Sequence, residues 1–267
     1  MVGNMAENPV GGQAVRRALD VLLCFRDGGS PMTASGVARR LGLSTSTAHR
    51  LAQTLAGAEF LVRDPAARYR IGPAVTELGL LSFHQQGLHR VAPELEHLAR
   101  VTGTTADLAI RSGDHALLLA GGTVRRTEDG VGLRRPLHST ALGKVLLAWP
   151  RPGADDLAGL APLRPLTGRT IADVDALRAE VERTRAAGHA MNDGESAEGV
   201  RTLAVPLLDR AGHARYALAL RSTPEVVSDA RVPWFLAHAQ SCARAMEVLL
   251  LSPEDRRGWP GQPGARQ

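Results

Sequence analysis

Lysine is almost absent from this chain of 267 residues: Lys144 is the only one, against 31 arginines. An arginine and alanine excess of this kind is what a GC-rich gene encodes, so the net charge of +5 and the pI near 10.1 do not by themselves mark a nucleic-acid binder. Cysteine is scarce as well. Cys24 and Cys242 lie far apart, each in an apolar helical pattern, which argues against a disulfide framework or a thiolate zinc site and reads both as core residues. No run of 18 or more apolar residues could span a bilayer, and no basic-plus-apolar leader opens the chain, so a cytoplasmic protein with no membrane partner is expected. His84, His89 and His97 miss the i, i+4 spacing of a metal-binding helix face, and neither a metal nor a cofactor is expected.

Catalytic signatures are missing too. Gly143-Lys144 looks like the end of a phosphate-binding loop, but His138 stands where its first glycine belongs and Val145 where a Ser or Thr is needed. Gly130-x-Gly132 meets Arg135 in place of the third glycine of a dinucleotide loop, and no G-x-S-x-G elbow occurs. Asp193, Glu195 and Glu198 are spaced as a carboxylate cluster could be, yet a solvated loop is the simpler reading. An enzyme is not expected.

What is present is a helix-turn-helix pattern in Thr33 to Gly57, TASGVARRLGLSTSTAHRLAQTLAG. Eight residues from Ala34 to Leu41 form a first helix, Gly42-Leu43-Ser44 a turn, and a second helix starts at Thr45. Ala38 is small enough for the helix crossing, Gly42 tolerates positive φ, and Ser44 is a good N-cap. Leu41, Leu43, Ala48, Leu51 and Leu55 fall on one apolar face. Thr45, Ser46, Thr47, His49, Arg50 and Gln53 are left outward without a carboxylate among them, which suits a groove lined by phosphates and base edges. Charge follows the same end of the chain. Residues 1–75 carry nine arginines against five acids, while residues 76–267 are nearly balanced, with 23 bases and 22 acids.

In chain order, residues 1–12 read as disordered and Ala14 to Asp27 as a helix with Val15, Ala18, Leu19, Leu22 and Leu23 on its inward face. After the helix-turn-helix, two short strands around Asp64-Pro65-Ala66-Ala67 form a wing, with Arg68 and Arg70 on one face and Tyr69 and Ile71 on the other. The arginines are assigned to phosphate or minor-groove contact. Helices over Ala74–Gln86 and Leu88–Val101 read as a linker and a natural dimer contact. Beyond Thr104 come strands near 105–111, 116–120, 189–192, 202–208 and 214–221, a loop over Gly130–Leu137, and helices near 139–149, 173–187 and 233–251. The tail from Ser252 is rich in Pro, Gly and Arg and reads as disordered.

The segments RALDVLL, LSTSTAHRLAQTL, RYRIGP, PLHSTALGKVLLA and GHAMNDGESAEGVRTLAVPLLDRAG, in that order and spacing, resemble those of IclR-family transcriptional regulators over roughly residues 14–250. The resemblance implies an α+β chain: a winged helix-turn-helix (14–72), linker helices (73–103), a GAF-like α/β effector-binding and oligomerisation domain (104–251) and a tail (252–267). It also implies a regulator acting on double-stranded operator DNA as a homodimer or a dimer of dimers (homotetramer); a repressor is expected, with an activator left open. Its effector would be a small organic or aromatic acid, held by Ala141 and Leu142 at a helix N-terminus together with Asn192, Asp193, Val200, Thr202, Ala219 and Arg221. Thr202, Ala219 and Arg221 depart from the family pattern of cysteine and serines. Arg221 therefore needs a partner, either a ligand carboxylate or an internal acid such as Asp193 or Glu195, unless it turns out to solvent. Two rival readings stay open: an enzyme acting on the small molecule, and an effector-free regulator whose second domain only oligomerises.

Overall fold

The computed structural model describes residues 10–26, 30–126, 133–153 and 157–257. The expectations for residues 1–9, for Asp27 and for 258–267 fall outside them. The chain divides into two compact units at Gln85/Gln86.

The first unit holds helices α1 (Val10–Leu23), α2 (Ala34–Leu41), α3 (Thr45–Gly57) and α4 (Pro73–Gln85), with one short strand before α2 and two between α3 and α4. Strands β1 (Met32–Thr33), β2 (Leu61–Arg63) and β3 (Arg68–Ile71) form an antiparallel sheet in the order β1-β3-β2. Both helices of the pair begin where their caps place them. The Thr33 hydroxyl accepts from Gly36 N and the Ser44 hydroxyl from Thr47 N, while Gly42 ends α2 at φ 65°. Ala38, Ala48 and Ala52 are buried against Val21, Val37, Leu55 and Tyr69, small side chains that let the helices cross closely. The expected inward face of α1 holds in part: Ala18 and Leu22 pack against the core beside Val21, with Cys24 and Phe25 just past the helix end, whereas Val15, Leu19 and Leu23 are 62%, 54% and 44% exposed. No residue of α4 is buried, and Leu78, Leu80 and Leu81 stand open on it.

The second unit holds α5 (Ala92–Thr102), β4 (Thr105–Ser112), β5 (His115–Gly121), α6 (Gly122–Arg126), β6 (Arg134–Pro136), α7 (Ala141–Ala148) and α8 (Val174–Ala187). It closes with β7 (Ala190–Asp193), β8 (Arg201–Leu208), β9 (Ala214–Ser222) and α9 (Val232–Leu250). Its six strands run antiparallel in the order β6-β5-β4-β9-β8-β7. α5 and α9 pack on one face of this sheet, so α5, expected in the linker, belongs to the second unit. α7 lies on the other face against Ala109, Ala204, Ala217 and Ala219, with α8 beside it. The period-2 alternation of β4 and β9 separates the two sets of residues. β6 replaces part of the loop expected over Gly130–Leu137: Arg134–Pro136 pairs with His115–Leu117 at the sheet edge. Residues 252–257, expected to begin the disordered tail, are instead tied to α9, where Arg256 donates to Leu251 O and Val248 O and Arg257 to Glu247 Oε1. No helix among the described residues is long and apolar enough to cross a membrane.

Candidate DNA interface and effector pocket

α3 presents Thr45, Ser46, Arg50 and Gln53 to solvent, with Thr47 and His49 half-buried at the edges of the same face. The Ser44 hydroxyl lies 2.8 Å from Thr47 Oγ1 and 3.1 Å from Ser46 Oγ, so Ser44 and Thr47 spend hydrogen bonds on holding the helix start. Arg50 and Gln53 keep their side chains outward. In the wing, burial of Tyr69 sends Arg68 and Arg70 to the other side of β3. Arg68 Nε is 2.9 Å from Asp64 Oδ2, and Arg68 N donates to Asp64 Oδ1. These bonds hold the Asp64 carboxyl below the usual carboxylate range. Arg70 has no acid partner among the described residues. Arg39 and Arg40 of α2 join Arg68 around a shallow recess floored by Met32, Thr33 and Gly36. Sequence reading had not picked out either α2 arginine; two adjacent bases closing the first helix were the available signal.

In the second unit, a cavity of about 110 Å³ opens between the N-terminus of α7 and the sheet. Of the residues expected there, Ala141, Leu142, Asn192, Val200, Thr202, Ala219 and Arg221 line it. Asp193 does not. Along β7 the alternation buries Asn192 and exposes Asp193, whose Oδ2 sits 3.3 Å from Arg169 Nη1. The structure adds Asp107, Thr123, Thr140 and Arg135 to the lining, from three strands' worth of sequence distance.

Arg221 is neither paired with Asp193 or Glu195 nor turned wholly to solvent. Its Nη2 donates to Thr123 Oγ1 at 2.9 Å, and that hydroxyl donates to Asp107 Oδ2 at 2.5 Å. Asp107 Oδ1 accepts from Thr123 N at 2.8 Å. Arg135 faces the same space from β6. Burial and the neighbouring Arg221 guanidinium lower its pKa, against the pull of Asp107.

Behind the pocket lies the lone lysine. Lys144 is 1% exposed, and its Nζ donates to Glu195 Oε1 at 2.5 Å, Glu180 Oε1 at 2.9 Å and Met191 O at 2.9 Å. Glu195 is thus no solvated loop residue: its Oε2 is buried without a hydrogen-bond partner, and burial pushes its pKa up. In Glu180, burial is outweighed by Lys144 and Arg183, and its pKa is lowered. Asn192 stitches the same region together, donating to Ser139 O at 2.6 Å and accepting from Glu195 N at 3.1 Å. The loop that carries Ser196, Ala197 and Val200 over the cavity is anchored by these bonds. Among the described residues, no group of three His, Cys, Asp or Glu side chains could hold a metal ion. Cys242 lies against Glu94 O, and burial raises its thiol to about 12, which removes it as a nucleophile.

Residues 14–65 match the IclR helix-turn-helix domain and residues 83–248 the bacterial transcriptional regulator IclR C-terminal domain. The chain is 33% identical over 233 residues to the HTH-type transcriptional regulator BhcR of Paracoccus denitrificans (strain Pd 1222), covering 85% of this chain and 83% of that one. It is 30% identical over 223 residues to the DNA-binding transcriptional repressor YiaJ of Escherichia coli (strain K12), covering 80% and 79%. Its fold superposes on an IclR homolog complexed with 4-hydroxybenzoate from Microbacterium hydrocarbonoxydans with a TM-score of 0.71, at 25% identity over 89% of this chain and 98% of that one. With a winged helix-turn-helix in its first unit and a sheet with a lined cavity in its second, both matched, the chain belongs to the IclR family of transcriptional regulators.

Proposed function

We propose that this regulator is a repressor that reads a pseudo-palindromic operator with α3, and that a small organic acid in the cavity of the second unit controls its grip on DNA. The observation that carries the DNA half is the acid-free outward face of α3, with Arg50 and Gln53 exposed and a basic shelf of Arg39, Arg40, Arg68 and Arg70 nearby. Arg50 and Gln53 take base edges, while Arg70 and Arg68 take phosphates, Arg68 from a position braced by Asp64. A homodimer supplies the second half-site, and a dimer of dimers would extend it. The apolar residues left open on α1 and α4 of the first unit, Leu19 and Leu81 among them, support such an assembly. The described positions of 14–72 and 104–251 support the roles of DNA reader and effector domain, with α4 as the connection and α5 part of the second unit. As a DNA-binding protein without a membrane-crossing helix among its described residues, it works in the cytoplasm.

One observation favours the effector-free reading: Asp107, through Thr123, already gives Arg221 an internal partner. Arg135 makes no hydrogen bond or close ion pair among the described residues and feels only the longer-range pull of Asp107, and that tips the balance toward a ligand.

Gel-shift titration on operator and scrambled DNA tests the assignment. Arg50→Ala should weaken operator binding by about 1 to 3 kcal/mol and flatten the preference for operator, because a base-edge contact is lost. Arg70→Ala should weaken both DNAs alike and shallow the salt dependence. Unchanged operator affinity in Arg50→Ala would remove α3 as the reader.

A further inference from the structure

We propose that the cavity is built for a compact dianion, a short aliphatic dicarboxylic acid with one carboxylate on Arg221 and the other on Arg135. This rests on the reading of the second unit as an effector-binding domain and names the ligand class for it.

The charges come first. Two guanidinium groups reach the cavity from different parts of the sheet, Arg221 near the end of β9 and Arg135 from the edge strand β6. Asp107 is the one acid among the described lining residues, and both its oxygens are engaged by Thr123, through its N–H and its hydroxyl. Arg221 therefore meets a neutral hydroxyl rather than a carboxylate, and Arg135 has no hydrogen-bond or ion-pair partner among the described residues. A half-buried guanidinium offers a planar fork that a carboxylate fills with two bonds. Two such forks ask for two carboxylates. A monoacid fills one and leaves the other desolvated beside a like charge; burial first, and the Arg221 guanidinium second, already lower the pKa of Arg135.

The lining is positive overall, which suits an anion. Two arginines and one aspartate leave the lining at +1, and the first N–H groups of α7, at Ala141 and Leu142, add the positive end of a helix whose Thr140 side chain caps only Gly143 N. The cavity's shape sets the rest. About 110 Å³ is less than the roughly 150 Å³ that admits benzene in an engineered cavity, so an aromatic ring with its own carboxylate does not fit without the site opening. Leu142, Val200 and Ala219 supply an apolar middle suited to a chain of methylenes.

Isothermal titration of the full-length protein with malonate, succinate, glutarate, butyrate, 4-hydroxybenzoate and inorganic phosphate decides this. At least one dicarboxylate should bind about tenfold or more tighter than butyrate. Arg135→Gln should erase that advantage by weakening the dicarboxylates about tenfold more than butyrate, and Arg221→Gln should weaken every acid; thermal melts confirm that both variants fold. If 4-hydroxybenzoate, butyrate or phosphate bound as tightly as any dicarboxylate, and Arg135→Gln changed nothing, the dianion proposal would fall while the effector reading survived. Absence of binding by any probe would overturn both.

Discussion

Lys144→Met should lower the stability of the second unit by about 3 to 5 kcal/mol, a fall on the order of 10 °C in its melting temperature. The methionine fills the space of the lysine stem, so the loss is electrostatic. In the wild type Lys144 sits between Glu180 and Glu195 and is 1% exposed. Without the ammonium, two carboxylates face each other in a region where Glu195 Oε2 already lacks a partner. pH gives the effect a signature. Glu195 has a raised pKa in the folded state, so its contribution is fullest below its unfolded value and fades as pH rises through the folded one. Glu180 is lowered, and its contribution holds above its unfolded value and is lost as pH falls through the folded one. Removing Lys144 takes from both the charge that favours ionisation, so the folded variant gains protons that the unfolded chain does not hold. Melting curves between pH 8 and 5 should show the gap between variant and wild type narrowing on acidification. A gap that is absent, or that widens, would mean that the buried lysine is worth no more than a surface pair.

Gly143→Ala should be as damaging for a different reason. An ideal Cβ at this position would lie 2.0 Å from Leu137 O and 2.3 Å from Leu137 Cα, both backbone atoms that cannot swing aside. α7 can accept the methyl group only by lifting away from the strand end that precedes it. All eight of its residues are buried, so that shift opens the core around Val145 and Leu146. The cost is about 3 kcal/mol or more, at the upper end for overpacking. It also moves the N–H groups of Ala141 and Leu142 that border the cavity. Chemical denaturation should show a second unit that unfolds at much lower denaturant than in the wild type; an unchanged midpoint would show that α7 is not locked against Leu137.

The same helix shows where sequence legibility ends. The helix pair α2 and α3 was readable to the residue, because Thr33, Gly42 and Ser44 act on neighbours within four positions. The α1 face was legible only in part: Val15, Leu19 and Leu23 are as apolar as Val21, Cys24 and Phe25, and only packing decides which of these turn inward. β6 escaped because three residues, Arg-Arg-Pro, carry no alternation; its strand character comes from pairing with His115–Leu117. Most of the pocket was legible through family resemblance. Its electrostatics were not, since Asp107, Thr123, Arg135 and Arg221 meet only when β4, β6 and β9 are laid in one sheet. In the sequence Lys144 stands out as the one lysine and as the end of a broken phosphate-loop motif, neither of which states that it is buried. Its place in the apolar run LGKVLLA was the signal that it is buried. Glu195, two residues after Asp193, looked like surface; a chain reversal at Gly194, φ 76°, turns one acid out and the other in.

If this regulator works as a dimer, two copies of α3 read one DNA site. Hydroxyl-radical footprinting of the full-length protein on the DNA flanking its own gene measures this directly. The expected result is two protected, sequence-related half-sites whose centres lie about one helical turn, ~10 base pairs, or a multiple of it apart, both lost together in Arg50→Ala. A single short asymmetric footprint, or a paired one that Arg50→Ala leaves intact, would contradict it.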